Sequence, residues 1–300
     1  MQTHDLIFAN RPKLVIPKML FHCSDIAFSP YGNYWRQLRK TCMVELLSAK
    51  RVKTFAAPEK EEVSKLGGDI SKMNNSPVNL SEKLFLLTFS VILARHASMG
   101  KGTDTASATT TWAMAELMKH PEMMGKAQAE VRRVLKGRAT IEEGDMSEFH
   151  YMKLVIKETL RLHPPVPLLL PRVCTKSCQV NGYDIPVGSR VLINAWAIAR
   201  DPKNWEDPES FKPERFDNSS VDYIGGSFEY VPFGAGRRIC PGITFGSVEM
   251  EMILSHLLYH FDWKLPNGMG PDDVDMSECT GVTVGRKSPL YLIATPYMPI

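Results

Sequence analysis

The run Phe233-Gly234-Ala235-Gly236-Arg237-Arg238-Ile239-Cys240-Pro241-Gly242 sets one cysteine in a basic, glycine-rich loop. Beyond it Met250, Ile253, Leu254, Leu257, Leu258 and Phe261 recur at helical spacing, which predicts a long helix whose positive N-terminal end faces the sulfur. With Arg237 and Arg238 beside it, the thiol pKa is expected to fall, leaving an anion able to ligate a metal. The glycines are expected to leave room for something flat and bulky against the backbone. A phosphate loop is excluded by spacing: Ile239 stands where the third glycine of Gly-x-Gly-x-x-Gly belongs, and no Lys-Ser or Lys-Thr follows. For the loop taken alone, an inert buried cysteine is the competing reading.

Other constellations stand in order along the chain. In Lys157-Glu158-Thr159-Leu160-Arg161 a carboxylate and a guanidinium share a helix face, and Pro164-Pro165 ends that helix. Pro213-Glu214-Arg215-Phe216 supplies a second arginine downstream. Between them, Ser177 to Ile185 predicts a hairpin around Asn181-Gly182, and Arg190 to Trp196 a strand. Pro165 to Arg172 is an extended apolar stretch ending in an arginine. Trp35 and Arg39 lie one helical turn apart, which stacks indole on guanidinium. Asp104 and Thr105 put an acid beside a hydroxyl at the head of a helical run through Trp112, which suits proton relay, although such residues also bond their own backbone.

The composition of the 300 residues, 44% hydrophobic and 23% charged, is that of a soluble globular protein. A net charge of +3 gives no nucleic-acid signature, yet residues 11 to 53 hold nine Lys or Arg against two Asp or Glu, a basic face for an acidic partner or for water. Six cysteines without a paired framework or secretory leader point to a reducing compartment. Cys174 and Cys178 are expected to lie too far apart for one zinc, and His256 and His260 to be packing or surface residues. The longest apolar run, Leu84 to Ala94, is too short to span a bilayer.

The order Phe-x-x-Gly-x-Arg-x-Cys-x-Gly around Cys240 resembles the haem-ligand signature of the cytochrome P450 monooxygenases, a family whose iron is held by a cysteine thiolate. The phrases Tyr31-Gly32-Asn33-Tyr34-Trp35-Arg36, Asn194-Ala195-Trp196-Ala197-Ile198 and Phe211-Lys212-Pro213-Glu214-Arg215-Phe216 look like plant microsomal members that oxidise terpenoids and other specialised metabolites. The resemblance implies a mainly α fold with a small β region and haem b as cofactor. It further implies electrons from NADPH through a reductase, and an apolar substrate that takes one oxygen atom from dioxygen. Cys240 would be the axial ligand within a loop framed by Phe233, Gly236 and Gly242. Trp35, Arg39, Arg172 and Arg238 would meet the haem carboxylates, and Asp104 and Thr105 would deliver protons. Glu158, Arg161 and Arg215 would form a buried structural triad. Val166, Leu168, Leu169 and Val282 to Val284 would border the substrate.

The resemblance covers residues 1–300 as one domain, in two blocks. Between them the helices that roof the substrate pocket are expected to be missing, with a deletion join near residues 95–101, where Lys101 replaces the small residue usual in the family. A membrane anchor is also expected to be absent. The family's place is the endoplasmic reticulum membrane, so a cytoplasmic or peripheral location is expected for this chain. The alternative reading is a non-catalytic haem-binding remnant or a non-functional truncated product.

Overall fold

The computed structural model describes residues 3–54, 56–73, 75–95, 103–138 and 140–297. Its helices are α1 (Val15–Phe21), α2 (Asn33–Thr41), α3 (Ala49–Thr54), α4 (Ala56–Lys72), α5 (Leu80–Arg95), α6 (Thr103–Lys119), α7 (Pro121–Leu135), α8 (Tyr151–Leu162), α9 (Ala195–Ile198) and α10 (Ile243–His260). The strands are β1 (Pro77–Asn79), β2 (Arg172–Val173), β3 (Cys178–Val180), β4 (Tyr183–Ile185), β5 (Arg190–Val191), β6 (Phe261–Lys264) and β7 (Tyr291–Pro296). The fold is therefore mainly helical with a small β content, as the resemblance implies. Among the described residues no helix is long and apolar enough to cross a membrane.

The chain divides into two compact units. The first comprises Met1–Val52, Val166–Pro208 and Val221–Thr244. In it β2 and β5 pair antiparallel with Arg172 opposite Val191, and Asn10 bridges Val173 on the free edge of β2. The predicted hairpin forms from β3 and β4, turning on Asn181 and Gly182 at φ 51° and 83°, a conformation that Asn-Gly adopts at low cost. The strand expected over Arg190 to Trp196 stops at Val191. Asn194 instead turns its side-chain oxygen to the Ala197 N–H at 3.0 Å and caps α9, a local competition that asparagine commonly wins. Ala195 of α9 packs with Val231 and Ala235 in an apolar cluster that Leu169, Ile198 and Phe228 extend.

The second unit comprises Lys53–Pro165, Glu209–Ser220 and Phe245–Ile300. Trp112, Met114 and Leu117 of α6, with Met152, Val155 and Leu160 of α8, are buried in its core. Truncating one of these to alanine should cost about 2–5 kcal/mol. α8 stops at Leu162, and His163 closes it by donating its N–H to Thr159 before the two prolines. A three-stranded antiparallel sheet in the order β1-β7-β6 pairs Val78 with Leu292 and Trp263 with Ala294. The helix predicted after Gly242 runs to His260, and Phe261, assigned to it by periodicity, begins β6 instead.

Gly67 of α4 admits the imidazole of His256, since a Cβ there would lie 2.6 Å from Nε2. Burial, with His260 beside it, pushes the His256 pKa down to about 3, in keeping with a packing role. Cys174 and Cys178 lie nearer than expected: burial and the neighbouring Cys174 thiol push the Cys178 thiol up. No group of three or more metal-ligating side chains forms among the described residues.

Candidate functional site

The cysteine loop is a closed turn held by its own backbone. Gly234 donates to Val231 O at 2.9 Å, Ile239 to Gly236 O at 3.0 Å and Cys240 to Phe233 O at 2.9 Å. Gly234 and Gly236 take φ of 73° and 70°, the left-handed region that glycine enters most cheaply. A 3-10 turn, Gly236–Arg238, precedes Cys240, and the Phe233 ring lies edge-on to Tyr223 at 5.2 Å. The sulfur is half-buried and accepts the Gly242 N–H at 3.4 Å, close to where α10 begins.

Two expectations for this loop are corrected. The Cys240 thiol is pushed up, not down: burial outweighs the Gly242 N–H and the Arg39 charge, which act in the other direction, and Cys42 adds to the rise. Arg237 and Arg238 are not the charges that act on it. Arg238 turns away to donate to Ala9 O at 2.7 Å and Ser29 O at 2.6 Å, while Arg237 is exposed and lies by Asp5. The second correction concerns the space at Gly236. A side chain there would collide with the carboxylate of Asp5, so this glycine seats an aspartate from the N-terminal segment. Gly242 faces the sulfur at ordinary contact distance, and its side-chain position is not sterically closed.

Around the loop the first unit gathers an arginine cluster. Trp35 of α2, 3% exposed, lies under the Arg238 guanidinium at 4.1 Å, with the Arg39 guanidinium 5.5 Å from the same ring. The expected Trp35–Arg39 stack is thus a weaker partner to an unforeseen Trp35–Arg238 stack. The indole N–H, expected to face a haem carboxylate, donates to Ile26 O at 2.9 Å, and Arg39 Nη1 donates to Ile239 O at 2.9 Å. Arg172 Nη2 donates to Ala235 O at 3.0 Å.

Arg11, which sequence reasoning missed, donates to Ala27 O, Leu170 O and Pro171 O. Only its place in Arg11-Pro12 marked it, since its partners at Leu170 and Pro171 are remote in sequence. Burial and the neighbouring arginines lower Arg11 to about 9 and Arg238 to about 10. Carbonyls solvate these cations without neutralising them. A site of several buried guanidiniums, with Asp5 and Asp25 as nearby carboxylates, fits a dianionic group. A half-buried thiol in a glycine turn suits a soft ligand for iron. The residues present therefore fit a haem with its two propionates.

In the second unit Glu158, Arg161 and Arg215 come together. Arg161 Nε and Nη2 grip the two Glu158 oxygens at 2.8 and 2.9 Å, and Arg215 Nε reaches Oε1 at 2.9 Å. The Lys212 N–H joins at 2.8 Å, and both arginines also donate to Ser210 O. Glu158 and Arg161 are fully buried. The network thus ties α8 to the 3-10 turn Pro213–Phe216.

Asp104 and Thr105 lie in the first turn of α6, the acid exposed and the threonine half-buried. Thr105 accepts the Thr109 hydroxyl on its carbonyl at 2.8 Å, and Ser107, Thr110 and Thr111 back-bond in the same way. Further along α6, Glu116 receives His163 Nε2 at 2.7 Å. Burial would raise its pKa, but hydrogen bonds from His120 and His163 hold it down to about 2. Lys101 and most of the expected join at residues 95–101 lie outside the described residues.

Comparison with known proteins gives this geometry its context. A family model described as Cytochrome P450 matches residues 96–293. Premnaspirodiene oxygenase of Hyoscyamus muticus is 40% identical over 410 residues, covering 100% of this chain and 82% of its own length. 5-epiaristolochene 1,3-dihydroxylase of Nicotiana tabacum is 39% identical over 412 residues, with 100% and 82% covered. Costunolide synthase of Cichorium intybus is 37% identical over 405 residues, with 100% and 81% covered. Each alignment is far longer than the 300-residue chain, so each passes over a long stretch of the relative in gaps. Two structures of a zebra fish cytochrome P450, with abiraterone and with progesterone, superpose at TM-scores of 0.85 and 0.84. At 22% identity, covering 99% of this chain and 90% of the other, they speak for the fold. The chain belongs to the cytochrome P450 family of monooxygenases, and its similarity runs to plant members of specialised metabolism.

Proposed function

We propose that this chain holds haem b through a Cys240 thiolate and inserts one oxygen atom from dioxygen into an apolar small molecule of the terpenoid or related specialised-metabolite class. The observation that carries the reading is a half-buried cysteine in a glycine turn within the same unit as a cluster of buried arginines. The names of the relatives, among them an oxygenase and a dihydroxylase, support the reaction and substrate class.

When bound, haem supplies dioxygen activation, with the thiolate donating electron density to it. The remaining work falls to side chains. Cys240 gives up its proton on binding iron, as ligating thiols do. Phe233, Gly236 and Gly242 shape the loop, while Arg39, Arg172 and Arg238 offset the propionate charges, with Trp35 holding two of the guanidiniums in place. Asp104 carries protons in from water and Thr105 passes them on. Glu158, Arg161 and Arg215 fix the fold. NADPH-derived electrons arrive through a reductase, for which the basic stretch of residues 11–53 offers an encounter surface. Work at the face of the endoplasmic reticulum membrane suits such a partner.

A second reading, a non-catalytic haem-binding remnant, is favoured by a specific observation. Val15, Ile16, Met19 and Leu20 of α1, and Phe85, Leu86 and Phe89 of α5, are exposed apolar side chains, and the relatives' alignments carry long gaps. Both facts suit the deletion of roofing helices near residues 95–101 from one domain over 1–300.

The reduced carbon monoxide difference spectrum tests the first reading. The long-wavelength band of thiolate ligation should appear with hemin-loaded protein and vanish in Cys240→Ala. A colourless protein would defeat both readings. Haem uptake with peroxide as the sole product from NADPH and reductase would favour the remnant.

A further inference from the structure

Asp5 lies against the cysteine loop. Its side chain is 17% exposed and reaches the cysteine loop from far along the sequence. Oδ2 accepts the backbone N–H of Arg237 at 2.9 Å, with the Arg237 Nε 3.7 Å away. Oδ1 accepts Arg172 Nη1 at 3.4 Å. Arg172 in turn donates Nη2 to the carbonyl of Ala235 at 3.0 Å. The two side chains thus take hold of the peptide on either side of Gly236 and close a ring through their own ion pair. The seat for the carboxylate exists because Gly236 lacks a side chain.

The segment that carries Asp5 is itself registered against β2 and its continuation. Val173 N–H donates to Asn10 O at 3.0 Å and Thr175 N–H to Ile7 O at 3.0 Å. Arg238 Nε reaches Ala9 O at 2.7 Å. Asp5 therefore has a firm footing from which to restrain the limb of the loop just before Cys240. Its charge is also the carboxylate directly paired with Arg172 and Arg237.

We propose that Asp5 is a positioning residue for Cys240, its carboxylate clasping the Gly236–Arg237 turn together with Arg172 so that the sulfur is presented in one fixed orientation. The consequence for cofactor retention rests on the haem-thiolate reading, whereas the clasp itself does not.

Two measurements on the full chain separate these. In the haem-free protein, amide hydrogen exchange over residues 236–240 should be about tenfold faster in Asp5→Ala, the loss of one charge-assisted hydrogen bond, and about threefold faster in Asp5→Asn, which keeps an acceptor but no charge. Exchange within about twofold of wild type in a variant of unchanged melting temperature would overturn the clasp. After hemin loading, Asp5→Ala should lose haem to apomyoglobin about tenfold faster than wild type, with Asp5→Asn between them. Equal loss rates would overturn the positioning role. Should Asp5→Ala fail to fold, the near-isosteric Asp5→Asn carries both measurements. A wild-type protein that shows no thiolate band would sink the haem reading and leave the exchange result standing by itself.

Discussion

The two buried charge clusters of this protein are built on opposite plans. Glu158, Arg161 and Arg215 are short-range and closed: one carboxylate takes two guanidiniums, and the spare donors end on Ser210 O. The cluster around the cysteine loop is long-range and open. Arg11, Arg39, Arg172 and Arg238 lean on backbone carbonyls, and their mutual repulsion helps to lower the Arg11 and Arg238 pKa values. A closed cluster balances its own charge, so that removing one member is what costs stability. An open one stores unfavourable charge that an anionic ligand can relieve, which is a mark of a binding site.

The sharpest way to break this contrast is Arg161→Ala. It leaves Glu158 fully buried with Arg215 as its remaining guanidinium, and should cost about 3–5 kcal/mol, seen as a collapse in urea midpoint or in soluble yield. A well-folded Arg161→Ala protein would refute the structural role of the triad. Arg238→Ala should be milder, about 1–2 kcal/mol, because the lost hydrogen bonds to Ala9 and Ser29 are partly offset by relief from Arg172 and Arg39. Its larger consequence should be weaker hemin uptake, measured by titration. A loss as great as that of Arg161→Ala would show the clusters to be alike.

A smaller effect should come from polyvalent anions. Pyrophosphate should raise the melting temperature of the haem-free wild type by stabilising the folded state by about 1 kcal/mol or less, and should do so less in Arg238→Ala. Equal responses would place the anion elsewhere.

A separate test removes a proton-linked contribution from outside both clusters. His256 has an ordinary pKa of 6.5 and a folded value of about 3, so the unfolded chain binds the proton first as pH falls. Stability should therefore decline from about pH 6.5 towards pH 3, and His256→Gln should flatten that slope in melting curves taken across the range. An unchanged slope would assign the acid sensitivity to other groups.

Much of this was legible in the sequence where the cause is local. The helix after Gly242 follows from its apolar period, the β3–β4 turn from Asn181-Gly182, and the end of α8 from Pro164-Pro165. The triad was legible as a resemblance, since nothing in Glu158-x-x-Arg161 alone announces Arg215. What escaped is long-range or competitive. Arg11 meets Leu170 and Asp5 meets Arg237, pairs that no periodicity links. The Cys240 thiol goes up because burial, which depends on tertiary packing, outweighs the helix end and the charge that the sequence suggests. The predicted strand at Arg190 to Trp196 was cut short when Asn194 spent its side chain on a cap.

The interleaving of the first residues with β2 has a practical bearing on how this protein is handled. Ile7 and Asn10 serve as acceptors for β2 and its continuation, Ala9 for Arg238, and Asp5 for Arg237. A recombinant form trimmed to begin at Arg11, or nicked there by a protease during purification, would lose all four supports at once. Failure of such a preparation to take up pigment would then report on the trimming, not on the thiol.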